Sequence, residues 1–84
     1  MSDNLKQRVW WHSRRGMLEL DLLLMPFTSE VFDTLDPEDQ ARYQQLLAQE
    51  DQDLWNWMVD RDKPDDVGLQ MIINRILAHN EDRS

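Results

Sequence analysis

The chain predicts an all-α fold, a compact bundle of five short helices in one domain spanning residues 1–84. Three observations carry that prediction. Apolar residues recur at steps of three and four, most clearly at Met17, Leu20, Leu24, Phe27 and Val31, which is the period of a helix burying one face. Cap and turn signals divide such stretches at Gly16, at Asp36-Pro37 and along the polar run from Arg61 to Asp66. No stretch shows the period-two alternation of a half-buried strand, and no internal repeat or low-complexity segment is visible.

The first helix is expected from about Asn4 to Arg14, capped by Asp3 or Asn4, with Leu5 and Val9 inward, joined by His12 or Ser13. Trp10 and Trp11 point about 100° apart on a helix, so one packs inward and the other lies at the rim, as a contact residue or a partly covered core residue. Arg14 and Arg15 suit its last turn, where cations oppose the negative end of the helix dipole, and Gly16 is the stop. Glu19 then falls in the first turn of the second helix, placed to cap a free N–H or to pair with Arg15 for roughly a few tenths of a kcal/mol. Leu22, Leu23 and Met25 widen the apolar arc, so this helix is either central to the bundle or offers a second apolar face to a partner. Pro26 has no N–H for residue 22, so a kink or restart is expected there. Met25 and Phe27 then either flank an exposed bend or turn the chain within the core.

Asp36-Pro37-Glu38-Asp39 starts a third helix that runs to about Gln49 and buries Tyr43, Leu46 and Leu47. Asp51 or Asp53 caps a fourth, through about Asp60, whose Trp55 and Trp57 close the core, each able to bury about 150–250 Å2. After the turn ending at Asp66, itself closed by a cap, Leu69, Ile72, Ile73, Ile76 and Leu77 line a fifth helix ending near Asn80. Glu81 to Ser84 carry no apolar residue to pin them and are expected to fray.

Composition narrows the function. A domain of 84 residues buries only about 60–65% of its unfolded surface, so its stability margin is thin. The absence of cysteine removes disulfides, thiolate metal sites and cysteine nucleophiles, and is what a reducing compartment permits. With no signal peptide, transit segment or membrane-length apolar run, the expectation is a cytoplasmic protein that starts at Met1 and does not insert into a membrane. Net charge is −8; Lys6, Arg8, Arg14 and Arg15 gather near the start, while twelve acids lie between Glu30 and Asp66 against Arg42, Arg61 and Lys63. That middle repels a phosphate backbone, which argues against nucleic acid and reads as a solvated surface.

No catalytic or metal-binding constellation emerges. His12 and His79 stand at opposite ends of the chain without ligand spacing such as HExxH, and Gly16 and Gly68 are the only glycines, too few for a phosphate-cradling loop. Trp55 and Trp57 lack converging polar groups, which speaks against an aromatic ligand platform. Not an enzyme, and no metal, are the expectations. What stands out is the crowding of Arg14, Arg15, Gly16, Glu19 and Asp21 within eight positions. It reads either as a plain helix, turn and helix, or as a mixed-charge docking patch whose central glycine lets another backbone approach.

Arg15-Gly16-x-x-Glu19, continued by Asp21, Met25 and Phe27, resembles the RGxxE signature of the SdhE/YgfY family of flavinylation assembly factors. Arg8-Val9-Trp10 upstream, and Leu46-Leu47 with Asp51-x-Asp53-Leu54-Trp55-x-Trp57 downstream, are similar to that family's pattern too, so the likeness covers about residues 5–77. The resemblance implies an assembly factor that binds the flavoprotein subunit of succinate dehydrogenase, and in bacteria of fumarate reductase. It promotes covalent attachment of FAD to a histidine of that subunit. The FAD then belongs to the client, and this chain binds no cofactor. By the same resemblance Arg15, Gly16 and Glu19 lie at the client interface, Asp21, Met25 and Phe27 continue it, Arg8 and Trp10 are further contacts, and the free protein is a monomer. Two other roles stay open: an antitoxin-type regulator partnering a membrane toxin, as the family has also been described, or a helical adaptor of unknown client.

Overall fold

The computed structural model describes the backbone of residues 2–83 and the side chains of residues 5–82. Five helices follow one another: α1 (Ser2–Ser13), α2 (Leu18–Glu30), α3 (Pro37–Leu47), α4 (Asp51–Met58) and α5 (Val67–Arg83), with a 3-10 turn at Phe32–Thr34 between α2 and α3. No strand occurs among the described residues, so the all-α expectation holds.

α2 packs against α1, α4 and α5, and α3 lies on α5. Its inner face is the expected one: Leu20, Leu24 and Phe27 are fully buried, and Met17 and Val31 pack half-buried against the same core. Val9 of α1, Tyr43, Leu46 and Leu47 of α3, Leu54 and Met58 of α4, and Leu69, Ile72, Ile73 and Ile76 of α5 meet that face. Trp55 and Trp57 stay half-buried along its edge rather than inside it.

A small polar network is sealed within this core. The Tyr43 hydroxyl lies 2.7 Å from Thr28 Oγ1, and each reaches the Leu24 carbonyl at 3.0 Å. Two hydroxyl protons serve three short contacts, so one contact at a time is without a proton. Among the described residues no buried side-chain polar atom lacks a partner, which is what makes a polar group in such a core tolerable.

Several element boundaries differ from expectation. α1 begins at Ser2, so Asp3 and Asn4 lie within the helix; whether their side chains cap it falls outside the described side chains. α2 is continuous past Pro26 to Glu30, so the helix does not restart there. The donor lost at Pro26 belongs to the carbonyl of Leu22, a residue 60% exposed, where water can serve the acceptor. Asp36 caps α3 as foreseen, its Oδ1 accepting from Asp39 N at 2.8 Å. Asp66 caps α5, accepting from Gly68 N at 2.7 Å and Leu69 N at 3.2 Å. Neither Asp51 nor Asp53 caps α4; Glu50 holds that position without a side-chain bond, and Asp51 is engaged elsewhere. α5 continues to Arg83, past the expected end near Asn80, so Glu81 and Asp82 are helical while Ser84 lies outside the described residues.

Candidate partner-binding site

The connection from α1 to α2 is organised by one backbone angle and two side chains. Gly16 sits at φ +82°, in the left-handed region that costs an L side chain about 1 kcal/mol or more. A Cβ placed there meets nothing within 4 Å. The glycine is therefore demanded by the turn, not by crowding, and it leaves the outside of the turn bare. Asp21 reaches back from α2, and its Oδ1 accepts from Arg15 N at 2.7 Å. This is the reach-back role expected of Glu19, taken by the acid two residues later.

Arg15 turns inward and is the anchor of the connection, its side chain only 13% exposed. Its Nε donates to Asp51 Oδ1 at 2.7 Å, Nη1 to the carbonyls of Leu47 and His12, and Nη2 to the Gln49 carbonyl at 2.7 Å. The chemistry is that of a helix end. The last carbonyls of α3 have no intrahelical donor and carry the negative end of its dipole, and a planar guanidinium fork satisfies that of Leu47 together with the Gln49 carbonyl just past the helix end. Asp51, first residue of α4, completes the charge pairing, which is why it does not cap its own helix. Arg15 thus ties the α1–α2 connection to the α3–α4 junction.

Glu19 is left outside that network. It is exposed, α2 has no side-chain cap, and neither the Arg15–Glu19 ion pair nor a Glu19 cap forms. Arg15 already has better acceptors, and Asp21 holds the free N–H. Arg8 and Arg14 are likewise exposed, with no side-chain partner among the described residues. Trp10 is half-buried, its Nε1 donating to Ser29 Oγ at 3.1 Å, and its ring meets Trp11 edge-on with centroids 4.9 Å apart. Trp11 is the rim residue of the pair at 61% exposed.

The eight residues singled out by sequence therefore separate. Arg8, Gly16 and Glu19 face solvent; Trp10, Asp21 and Met25 are half-buried; Arg15 and Asp21 are bound inward. Phe27 does not belong to a surface. It is fully buried, its ring 5.1 Å from that of Tyr43 and 5.8 Å, edge-on, from that of His79. Because α2 continues through Pro26, Phe27 stays in helical register with Leu20 and Leu24 on the inner face. Sequence reasoning missed Asp51 and the Leu47 and Gln49 carbonyls as partners of Arg15; it named Leu22 as widening the apolar arc towards a partner but passed over Leu18, the two being exposed at 60% and 67%. Their four-residue spacing on one helix face was the available signal.

His79 is occupied by Glu30 at 3.0 Å, and among the described residues no group of three or more His, Cys, Asp or Glu could hold a metal ion. No helix of the described residues is long and apolar enough to cross a membrane.

A family model described as the flavinator of succinate dehydrogenase matches residues 7–80. The FAD assembly factor SdhE of Pseudomonas aeruginosa is 54% identical over 71 residues, 84% of either chain. That of Pseudomonas putida is 51% identical over 70 residues, 83% of either chain. That of Vibrio cholerae is 41% identical over 75 residues, 89% of this chain and 87% of the other. These relatives are named as assembly factors and not as enzymes. With the match running from within α1 almost to the end of α5, the chain belongs to the flavinator of succinate dehydrogenase family.

Proposed function

We propose that this protein is an assembly factor that binds the flavoprotein subunit of succinate dehydrogenase and promotes covalent attachment of FAD to it. Family membership and the relatives' names support the reading. The structural observation that carries it is the division of labour around Gly16: Arg15 and Asp21 fix the turn from within, while Gly16 and Glu19 are presented outward and uncommitted. A surface already rigid in the free protein loses little conformational freedom when a partner docks. The bond-forming chemistry resides in the flavin and the client. This chain acts by favouring the client conformation in which the reacting histidine and the flavin ring are aligned. Arg8, Arg14 and Trp10 extend the contact surface, with Arg15 and Asp21 supporting it from behind. The flavin is held by the client and not by this chain. Fumarate reductase is a second client, and the protein acts as a monomer in the cytoplasm, the reducing compartment its lack of cysteine permits.

The test uses purified flavoprotein subunit carrying no covalent flavin, with FAD supplied. The expected results are saturable binding of this chain to the subunit and faster appearance of covalent flavin fluorescence in denaturing gels, with no saturable heat when FAD alone is titrated into this chain. Absence of binding to the subunit contradicts the reading. Stoichiometric micromolar binding of FAD by the free chain recasts it as a flavin carrier.

A further inference from the structure

The outer face of α2 is apolar where a solvated helix face is normally polar. Leu18, Leu22 and Met25 recur at steps of four and three, on the side opposite Leu20, Leu24 and Phe27, with Leu18 67% and Leu22 60% exposed and Met25 half-buried. One end of this strip adjoins the bare turn at Gly16. The other is closed by the Trp10 indole, hydrogen-bonded to Ser29, which lies four residues beyond Met25 on the same face. We infer that this strip is the affinity-bearing half of the client contact, covered by an apolar patch of the flavoprotein subunit edged by a group that donates to Glu19. The inference rests on the proposal that this subunit is the partner.

Glu19 follows Leu18 and lies three residues before Leu22, so a surface that covers the two leucines covers its carboxylate as well. A carboxylate taken out of water without a donor opposes binding, so the matching surface must bring one. The strip and the acid thus specify the partner together: the leucines supply area and Glu19 rejects apolar surfaces that lack the donor. A second copy of this chain is the wrong occupant, because each copy carries a net charge of −8 and association brings like fields together. A second exposed apolar pair, Val67 at 74% and Met71 at 51%, sits on α5, outside this strip, and provides the internal control.

The experiment compares the wild type, the double variant Leu18→Ser with Leu22→Ser, the double variant Val67→Ser with Met71→Ser, and Glu19→Lys. Affinity for the purified flavoprotein subunit, melting temperature and sedimentation are recorded for each. The strip variant is expected to bind about 30-fold more weakly or worse, at nearly unchanged melting temperature, because the lost area is exposed until the partner covers it. The α5 variant is expected to bind as the wild type does. If the strip variant binds normally while Glu19→Lys fails, the client docks on the turn alone and the inference is overturned with the proposed function intact. If the wild type sediments as a dimer that the strip variant dissociates without loss of client affinity, the strip is a self-contact and the inference is again overturned. If the wild type does not bind the subunit at all, both this inference and the proposed function fall.

Discussion

Arg15 and Glu19 are four residues apart and face opposite ways, so their substitutions separate stability from function. Arg15→Ala strips an almost buried guanidinium from Asp51, from the Leu47 carbonyl at the end of α3 and from the Gln49 carbonyl just beyond it. The expected cost is about 2–3 kcal/mol in denaturant unfolding, the range for hydrogen bonds to a charged group left unmade. Arg15→Lys keeps the charge but not the planar fork, and should lose about 1–2 kcal/mol. In both variants flavinylation should fall with the folded fraction and somewhat beyond it, because the turn that presents Gly16 and Glu19 loses its inner anchor. The rule that cations favour helix C-termini was legible in the sequence and pointed to the end of α1, where Arg15 does reach the His12 carbonyl at 3.3 Å. The guanidinium also serves the end of α3, and a contact between residues 15 and 47 leaves no local trace in the chain. The glycine was readable, since a stop between two helices demands a left-handed residue, and Gly16 has φ +82°.

For the elements, periodicity outperformed the proline rule. The stripe from Met17 to Val31 was legible because burial imposes it on every turn of α2, whereas the break at Pro26 was overruled by packing. Leu24 and Phe27 bury fully on either side of Pro26, and interrupting the helix there would expose one of them. The same continuity moved Phe27 from the predicted surface into the core. If packing alone keeps α2 helical at this point, Pro26→Ala restores a donor to the Leu22 carbonyl and should stabilise the protein by about 1 kcal/mol, less than the full helix-interior penalty because the unfolded chain regains freedom. Thermal melting of that variant checks it, and a lowered melting temperature would mean the proline is accommodated by a geometry that alanine does not reproduce.

Across the whole molecule the radius of gyration, 11.8 Å, is that of a packed globule, about 12 Å for this length. The acidic middle of the chain is not wholly idle solvated surface: Asp33 pairs with Lys6, Asp39 with Arg75 and Asp51 with Arg15, joining separate elements, while Asp39 also pairs with Arg42 within α3. The Lys6–Asp33 pair is a surface contact worth about 0–1 kcal/mol, while Asp39 is itself mostly covered between Arg42 and Arg75. Pairing across the fold could not be read from charge counts. The core does contain one titratable group, Tyr43, whose pKa is pushed far above the ordinary tyrosine value by burial, with the hydrogen bond to Thr28 and the charge of Arg15 pulling weakly the other way. The folded state holds this proton more tightly than the unfolded chain, where tyrosine ionises near pH ~10. Its contribution is therefore complete below about pH 10 and is lost as pH rises further, at about 1.4 kcal/mol per pH unit. Tyr43 is the single tyrosine of the chain, so phenolate absorbance reports it directly and should rise together with unfolding. Tyr43→Phe should cost about 1 kcal/mol at neutral pH and flatten the alkaline loss.

The central claim is that the turn at Gly16 is built from inside and used from outside. Covalent flavin formation on the client, measured beside melting temperature for Glu19→Ala, Gly16→Ala and Gly16→Arg, tests it most directly. Glu19 has no side-chain bond to lose among the described residues, so Glu19→Ala should melt within about 2 °C of the wild type, a shift of under ~0.5 kcal/mol, and lose most of its flavinylation activity. The two Gly16 variants carry the same backbone strain and should melt alike, since nothing lies within 4 Å of an added Cβ, but the arginine should block docking and lose far more activity than the alanine. Activity that follows melting temperature across all three variants would contradict the account and leave this segment as a turn between two helices and nothing more.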